Sequence, residues 1–238
     1  MRLSLIRYFL LSFSRTNRYV APLMLYVLTF TLFYSQKPNP IIGSYAATAV
    51  IFLFIAGWFS YAFHESHDRV QEQLALLHTN KMSTYFLSKW GALALMLACL
   101  ALLTVLYPIA IGAFADSVSF QMGPLAFLIH LEVGLIASGV AQLFQSRFVS
   151  SKGMAVSGII IVFALSLSQN KLAEVLPDML HVLLWLLPPV KQTVEVIVHS
   201  AELPIQEMLW TKAVTLGYVA ILLFIYVMRM KRTDMHCK

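Results

Sequence analysis

The residues that could do chemistry here are ionisable groups set among apolar ones. His130 and Glu132 are the only ionisable side chains in residues 122–144. Such groups are costly in hydrocarbon unless they face a partner or a wet cavity. They suggest a transport path, a substrate contact or an intramembrane enzyme; a helix-packing hydrogen bond with a protonated Glu132 is the plainer alternative. Two residues apart on a helix, they point to nearly opposite sides and do not form one site. A second group, His64-Glu65-Ser66-His67, superficially resembles a zinc-protease helix. Its histidines are three apart rather than four, and its acid is misplaced for a general base. The two histidines have the spacing to share a helix face and a metal, but no third ligand is evident.

The sequence has neither a G-x-x-x-x-G-K-[ST] phosphate loop nor a G-x-S-x-G nucleophile elbow. The chain is therefore not expected to hydrolyse ATP itself, and no enzyme active site or bound metal is expected. Cys99 lies inside an apolar block and Cys237 next to the C-terminus. They are expected at different depths and as reduced thiols.

Composition decides what must position these groups. Of 238 residues, 59% are hydrophobic and 12% charged, about half the charge of a soluble domain. So few charges cannot cover a water-exposed surface, so lipid is the expected solvent. The net charge of +6 comes from basic residues scattered between apolar blocks rather than gathered on one face, which argues against nucleic acid.

Blocks long enough to cross a bilayer occur at about 19–35, 42–63, 90–114, 122–144, 149–168 and 208–228. The first and fifth are the weakest, the fifth carrying Ser157, Ser166 and Ser168. The blocks do not alternate in polarity, so helices and not barrel strands are expected. The predicted class is an all-α integral membrane protein with six spans in one domain, residues 1–238.

Lysine and arginine fix the expected orientation. With the N-terminus inside, Arg2, Arg7, Arg15 and Arg18 precede the first span. Arg69, Lys81 and Lys89 lie between the second and third, Arg147 and Lys152 between the fourth and fifth, and Arg229, Lys231, Arg232 and Lys238 in the tail. Only Lys37, Lys171, Lys191 and Lys212 fall outside. Both termini are expected in the cytoplasm, in a cytoplasmic membrane, and no cleavable signal peptide is expected.

Three segments are expected not to span. Residues 1–18 carry an apolar stripe, Leu3, Ile6, Leu10 and Phe13, and read as an amphipathic helix on the membrane surface, or else a cytoplasmic extension of the first span. Residues 64–89 form a charged loop with a short amphipathic helix. Residues 169–207 form an outer segment with short helices. Its apolar run 182–187 ends at Pro188-Pro189, too short to cross, and reads as a shallow or re-entrant helix or a cap.

The loop after the second span reads FHESHDRVQEQLALLHTNKMSTYFLSK over residues 63–89. It resembles the corresponding loop of type-2 ABC transporter permeases, the membrane subunits of many bacterial exporters. There an acidic residue ends the second span, an E-x-L-x-L-L-like helix and a Thr follow, and a Ser-x-x-x-Leu-x-Lys-like run enters the third. Glu65, Glu72, Leu74, Leu76, Leu77, Thr79, Ser83, Leu87 and Lys89 fit that pattern, while the family's usual Gly before the helix is replaced by Asp68-Arg69-Val70.

The resemblance implies a dimer of permeases, two copies of this chain or one with a different partner. Each would dock a separate ATPase subunit that holds ATP and Mg²⁺, so that two ATPase copies serve the complex. Residues 70–78 would be the coupling helix, with Leu74 and Leu77 as an apolar anchor and Glu72 and Arg69 as rim charges. The implied substrate is hydrophobic or amphipathic, such as an antimicrobial peptide or bacteriocin. Two other classes stay open: an intramembrane enzyme using His130 and Glu132, and an ATP-independent carrier or immunity protein.

Overall fold

The computed structural model describes residues 2–66, 69–79, 81–200 and 203–235, with the backbone alone at 2, 69, 77, 78, 178 and 231–235. Among these residues every regular element is a helix, apart from one isolated bridge between Asn39 and Phe114. The order is α1 (Arg2–Ser14), α2 (Val20–Phe33), α3 (Ile41–His64), α4 (Arg69–Thr79), α5 (Met82–Ala110) and α6 (Met122–Ala141). Then come α7 (Lys152–Leu167), α8 (Gln169–Val175), α9 (His181–Leu184), α10 (Val190–Val198) and α11 (Ile205–Met235).

Among the described residues four helices are long and apolar enough to cross a bilayer: α3, α5, α6 with its 3₁₀ extension to Phe144, and α11. The pair α7 and α8 makes a fifth if it is one span, but it bends by 72°. The bend falls at the serines: Ser166 turns its hydroxyl back onto the Val162 carbonyl, at 2.7 Å, and Ser168 is the residue between the helices. Back-bonding of this kind competes with the helix ladder and bends it. The first expected span is shorter than its block. α2 has 14 residues, about 21 Å of helix against roughly 30 Å of hydrocarbon.

α6 is the centre of the bundle, packed against α3, α5, α10 and α11. Small residues permit this. A Cβ on Gly134 would come 2.9 Å from Phe52 Cε1 on α3, and one on Gly139 would come 2.7 Å from Leu222 Cδ1 on α11. Ala137, Ser138 and Ala141 are fully buried beside them, so close helix approach at small residues is what the packing uses.

α1 lies against the start of α5 and the end of α3. Phe9 meets Tyr85 at 5.1 Å, and Phe13 meets Phe59 at 5.3 Å and Phe63 at 5.2 Å, all edge to face. The packed face therefore runs through Ile6, Phe9 and Phe13, while Leu3 of the expected stripe is exposed. Asn17, at φ 54°, turns the chain from α1 into α2, a conformation Asn tolerates better than most residues.

At the other end α5 stops in a Schellman motif. Gly112 takes φ 59°, its N–H bonds to Ile109 O at 3.1 Å, and Ala113 N–H bonds to Pro108 O at 2.9 Å.

The segment between α7 and α11 has two unlike parts. The apolar residues Val182, Leu183, Trp185 and Leu186 are exposed, on and just after the four-residue α9. It is α10, just past Pro188-Pro189, that packs into the bundle against α3, α6 and α11. Val190, Thr193, Val194, Val196 and Ile197 are its buried face, and Thr193 shares a 2.9 Å hydroxyl contact with Thr215 of α11.

Candidate functional site

The end of the bundle where α3 finishes and α5 begins, called inner here, gathers the charged residues of the 64–89 loop. α4 places residues 72, 75, 76 and 79 on one side and 70 and 74 on the other, as 3.6 residues per turn requires. On the inward side, Ala75 and Leu76 pack against the core, and Thr79 is buried with its hydroxyl donating to Ala75 O at 2.5 Å. Outward, Val70 is 61% and Leu74 54% exposed. A groove of about 460 Å³ runs beside them between α1 and α4, lined by Leu5, Tyr8, Leu74, Ala75 and Thr79. The side chains of Arg69 and Leu77, and all of His67, lie outside the described residues.

Glu72 corrects the expectation of a rim charge. Its side chain is only 5% exposed and turns inward to two cations. Arg147 Nη2 donates to Oε2 at 2.5 Å, and Lys89 Nζ, on a side chain 2% exposed, stands 3.6 Å from Oε1. A carboxylate buried this far needs such neighbours, because desolvation alone would cost several kcal/mol, roughly. Arg147 also reaches α11, with Nη1 3.6 Å from Met230 Sδ.

Glu65 caps the same junction. Its Oε1 accepts the Ser146 N–H at 2.6 Å, and its carbonyl accepts a hydrogen bond from Arg18 in the α1–α2 turn. Arg229 of α11 stacks 4.1 Å over Phe148. Residues 142–151, between α6 and α7, are thus tied to the ends of α3, α4, α5 and α11 together.

His130 and Glu132 sit on different sides of α6, as their spacing predicts, and each finds its partner inside the chain. His130 Nδ1 donates to Ala126 O at 2.7 Å, which leaves Nε2 to accept from the Thr48 hydroxyl of α3 at 3.1 Å. Glu132 meets Lys212 of α11 through both oxygens, at 3.2 and 3.4 Å. Lys212, counted as an outer charge near the start of the expected 208–228 span, lies within α11 on the same inward stripe as Thr215, Val219, Leu222 and Tyr226.

The sequence presents Arg147 and Lys212 only as orientation charges and Lys89 as an orientation charge and a motif position, none of them as a partner. The signal available for Lys212 was its helical register with the apolar face that follows. For Glu72 and Arg147, 75 residues apart, no local signal existed.

Fold and site define a class: an all-helical chain with four helices, or five with the bent pair, fit to cross a membrane, and a buried charged junction at one end. Beyond the class, comparison with protein-family models, curated proteins and solved structures finds no match for this chain.

Proposed function

We propose that the chain is the permease subunit of an ATP-driven exporter of the type-2 ABC kind, working as a pair in the cytoplasmic membrane with two copies of a separate ATPase subunit. The observation that carries this reading is α4. It is a short helix held to its own bundle by Glu72, Leu76 and Thr79, and it turns Val70 and Leu74 outward beside a groove. A helix anchored on one side and apolar on the other is suited to seat in a partner's groove, with the apolar pair as the anchor. Its place directly after α3 is the place of the coupling helix in the permeases that the 63–89 segment resembles, and the sequence lacks a phosphate loop of its own.

In this reading the finer topology has six spans. α2 is the first, lengthened by Tyr19 and Tyr34 at its ends, α7 with its bend is the fifth, and both termini are cytoplasmic. α1 lies at the inner membrane surface with Leu3 toward lipid, and the short helices α8 to α10 are on the outer side. The substrate is hydrophobic or amphipathic, such as an antimicrobial peptide, and enters from the lipid or the cytoplasm. His130 and Glu132 act in the path indirectly: the bonds to Thr48 and Lys212 set how α6 meets α3 and α11, and thereby the shape of any passage beside them.

The test is purification of the tagged chain from its native membrane in mild detergent, followed by identification of what accompanies it and an ATP hydrolysis assay. An ATPase subunit should co-purify, and should be lost from a Leu74→Asp, Leu77→Asp variant that remains monodisperse. If no ATPase accompanies the native chain, the reading falls and a carrier acting alone takes its place.

A further inference from the structure

Resting on the exporter reading, we infer that Arg147 carries the motion of the docking helix to the far half of the bundle. In sequence, α4 is continuous only with α3 and α5, so a push on α4 passes directly to those two helices. The remaining long helices, α6, α7 and α11, have no covalent short cut to it. They pack against α3 and α5, but the tie from α4 itself to their side of the bundle runs through the segment 142–151, and its arginine makes the link. One guanidinium nitrogen holds Glu72 of α4 at 2.5 Å, and the other stands 3.6 Å from Met230 Sδ of α11.

The geometry suits a transmission residue rather than a plain surface pair. Arg147 presents a planar fork, so two partners in different elements keep a fixed relation to each other. Its side chain is only 11% exposed and Glu72 is 5% exposed, so solvent does not compete for the contact as it does at a surface. Lys89 also faces Glu72, at 3.6 Å. Loss of Arg147 therefore leaves the carboxylate with a cation, while the tie to the 142–151 segment through this side chain is gone. Ser146 keeps its own bond to Glu65, so the segment stays in place but is no longer linked to α4 by charge. Arg147 is a positioning residue: it touches no substrate.

The experiment uses the complex with its co-purified ATPase, in a chain whose Cys99 and Cys237 are replaced by serine. Spin labels go on Gln36→Cys, in the turn after α2, and Val175→Cys, at the end of α8; both positions are exposed. Gln36, just before α3, reports on the helix that α4 drives directly, whereas Val175 reports on α7, which the 142–151 segment leads into. Trapping with ATP and vanadate should shift the distance between the labels in the parent chain. In Arg147→Gln the ATPase should still co-purify and hydrolyse ATP, but the shift should be lost. Arg147→Lys, which keeps the charge near Glu72, should restore part of it. A second variant keeps the result from resting on folding: Glu72→Cys with Arg147→Cys and Lys89→Met, which leaves no member of the buried cluster charged, joined by a short flexible thiol cross-linker, should recover the shift through a covalent tie.

A full shift in Arg147→Gln overturns the inference and leaves the exporter reading standing. Failure of the cross-linked pair to recover any shift, with hydrolysis intact, also overturns it. Absence of a co-purifying ATPase from the parent chain overturns both.

Discussion

The two ends of the bundle are closed by different physics. At the inner end, besides the rings that hold α1, charged side chains tie elements far apart in sequence: Glu72 with Arg147 and Lys89, and Glu65 with the Ser146 N–H. At the outer end the ties are backbone bonds and rings. Asn39 N–H bonds to Ala113 O at 2.9 Å, Ala115 N–H bonds to Asn39 O at 3.2 Å, and Phe114 packs at 5.2 Å from Tyr45 and 6.0 Å from Tyr34. Buried ion pairs gain little net stability but are costly to break on one side, whereas an aromatic cluster loses stability in proportion to the area removed. The inner end is therefore the brittle one. Its charged contacts are few and strong, and they join helices that must move together if α4 is pushed.

The largest expected effect tests that brittleness. Glu72→Ala leaves Lys89 and Arg147 buried without their carboxylate, and should cost about 3–5 kcal/mol, the range for breaking a buried pair from one side. Arg147→Gln should cost less, because Lys89 still faces the acid and the more exposed arginine is the group removed. Unfolding of the purified chain in mixed detergent micelles, followed by helix content, gives the order. Equal losses in the two variants would mean that Lys89 does not neutralise Glu72, and the inner end would then be a simple pair rather than a three-member cluster.

An intermediate effect is expected at the outer end. Phe114→Ala removes a partly buried ring between two tyrosines and should cost about 2 kcal/mol, less than a fully buried Phe. The loss should be graded, with Phe114→Leu recovering about half of it, since apolar area and not a specific partner is at stake. A sharp loss in the leucine variant would remove the contrast between the ends, because it would show that ring geometry matters as strictly there as charge pairing does at the inner end.

How far this was readable without coordinates follows from the range of each interaction. Apolar length locates α3 and α6 to within a few residues, and the start of α11 but not its end at Met235, because hydrocarbon thickness acts on consecutive residues. The α5 start was placed at 90, yet the helix begins at Met82. A helix that leaves the apolar layer continues in polar sequence without any hydropathy signal. Total apolarity marks residues 182–187 in the outer segment but gives no sign of α10, which packs into the bundle and is amphipathic, with Lys191, Gln192 and Glu195 off its buried face. In the site, the opposed directions of His130 and Glu132 followed from helix geometry alone. Their partners did not, nor did the burial of Glu72, since Thr48, Lys212 and Arg147 are each brought near by tertiary packing and lie 75 to 82 residues away.

The smallest expected effect marks what does not belong to either closure. Lys171 and Glu174 on α8 form an ion pair at 2.8 Å, but their side chains are 78% and 63% exposed. Solvent and salt screen such a pair, so Lys171→Ala should change stability by less than about 0.5 kcal/mol. The distance is nearly the same as that between Arg147 and Glu72, so length alone does not separate the two. Burial does: the inner pair keeps its field because little water can reach it. Repeating Lys171→Ala and Arg147→Gln at low and high salt separates these cases directly. The Lys171 difference should vanish at high salt and the Arg147 difference should persist. If the Arg147 difference also faded with salt, the inner junction would be open to water, and a rigid link through Glu72 would lose its physical basis.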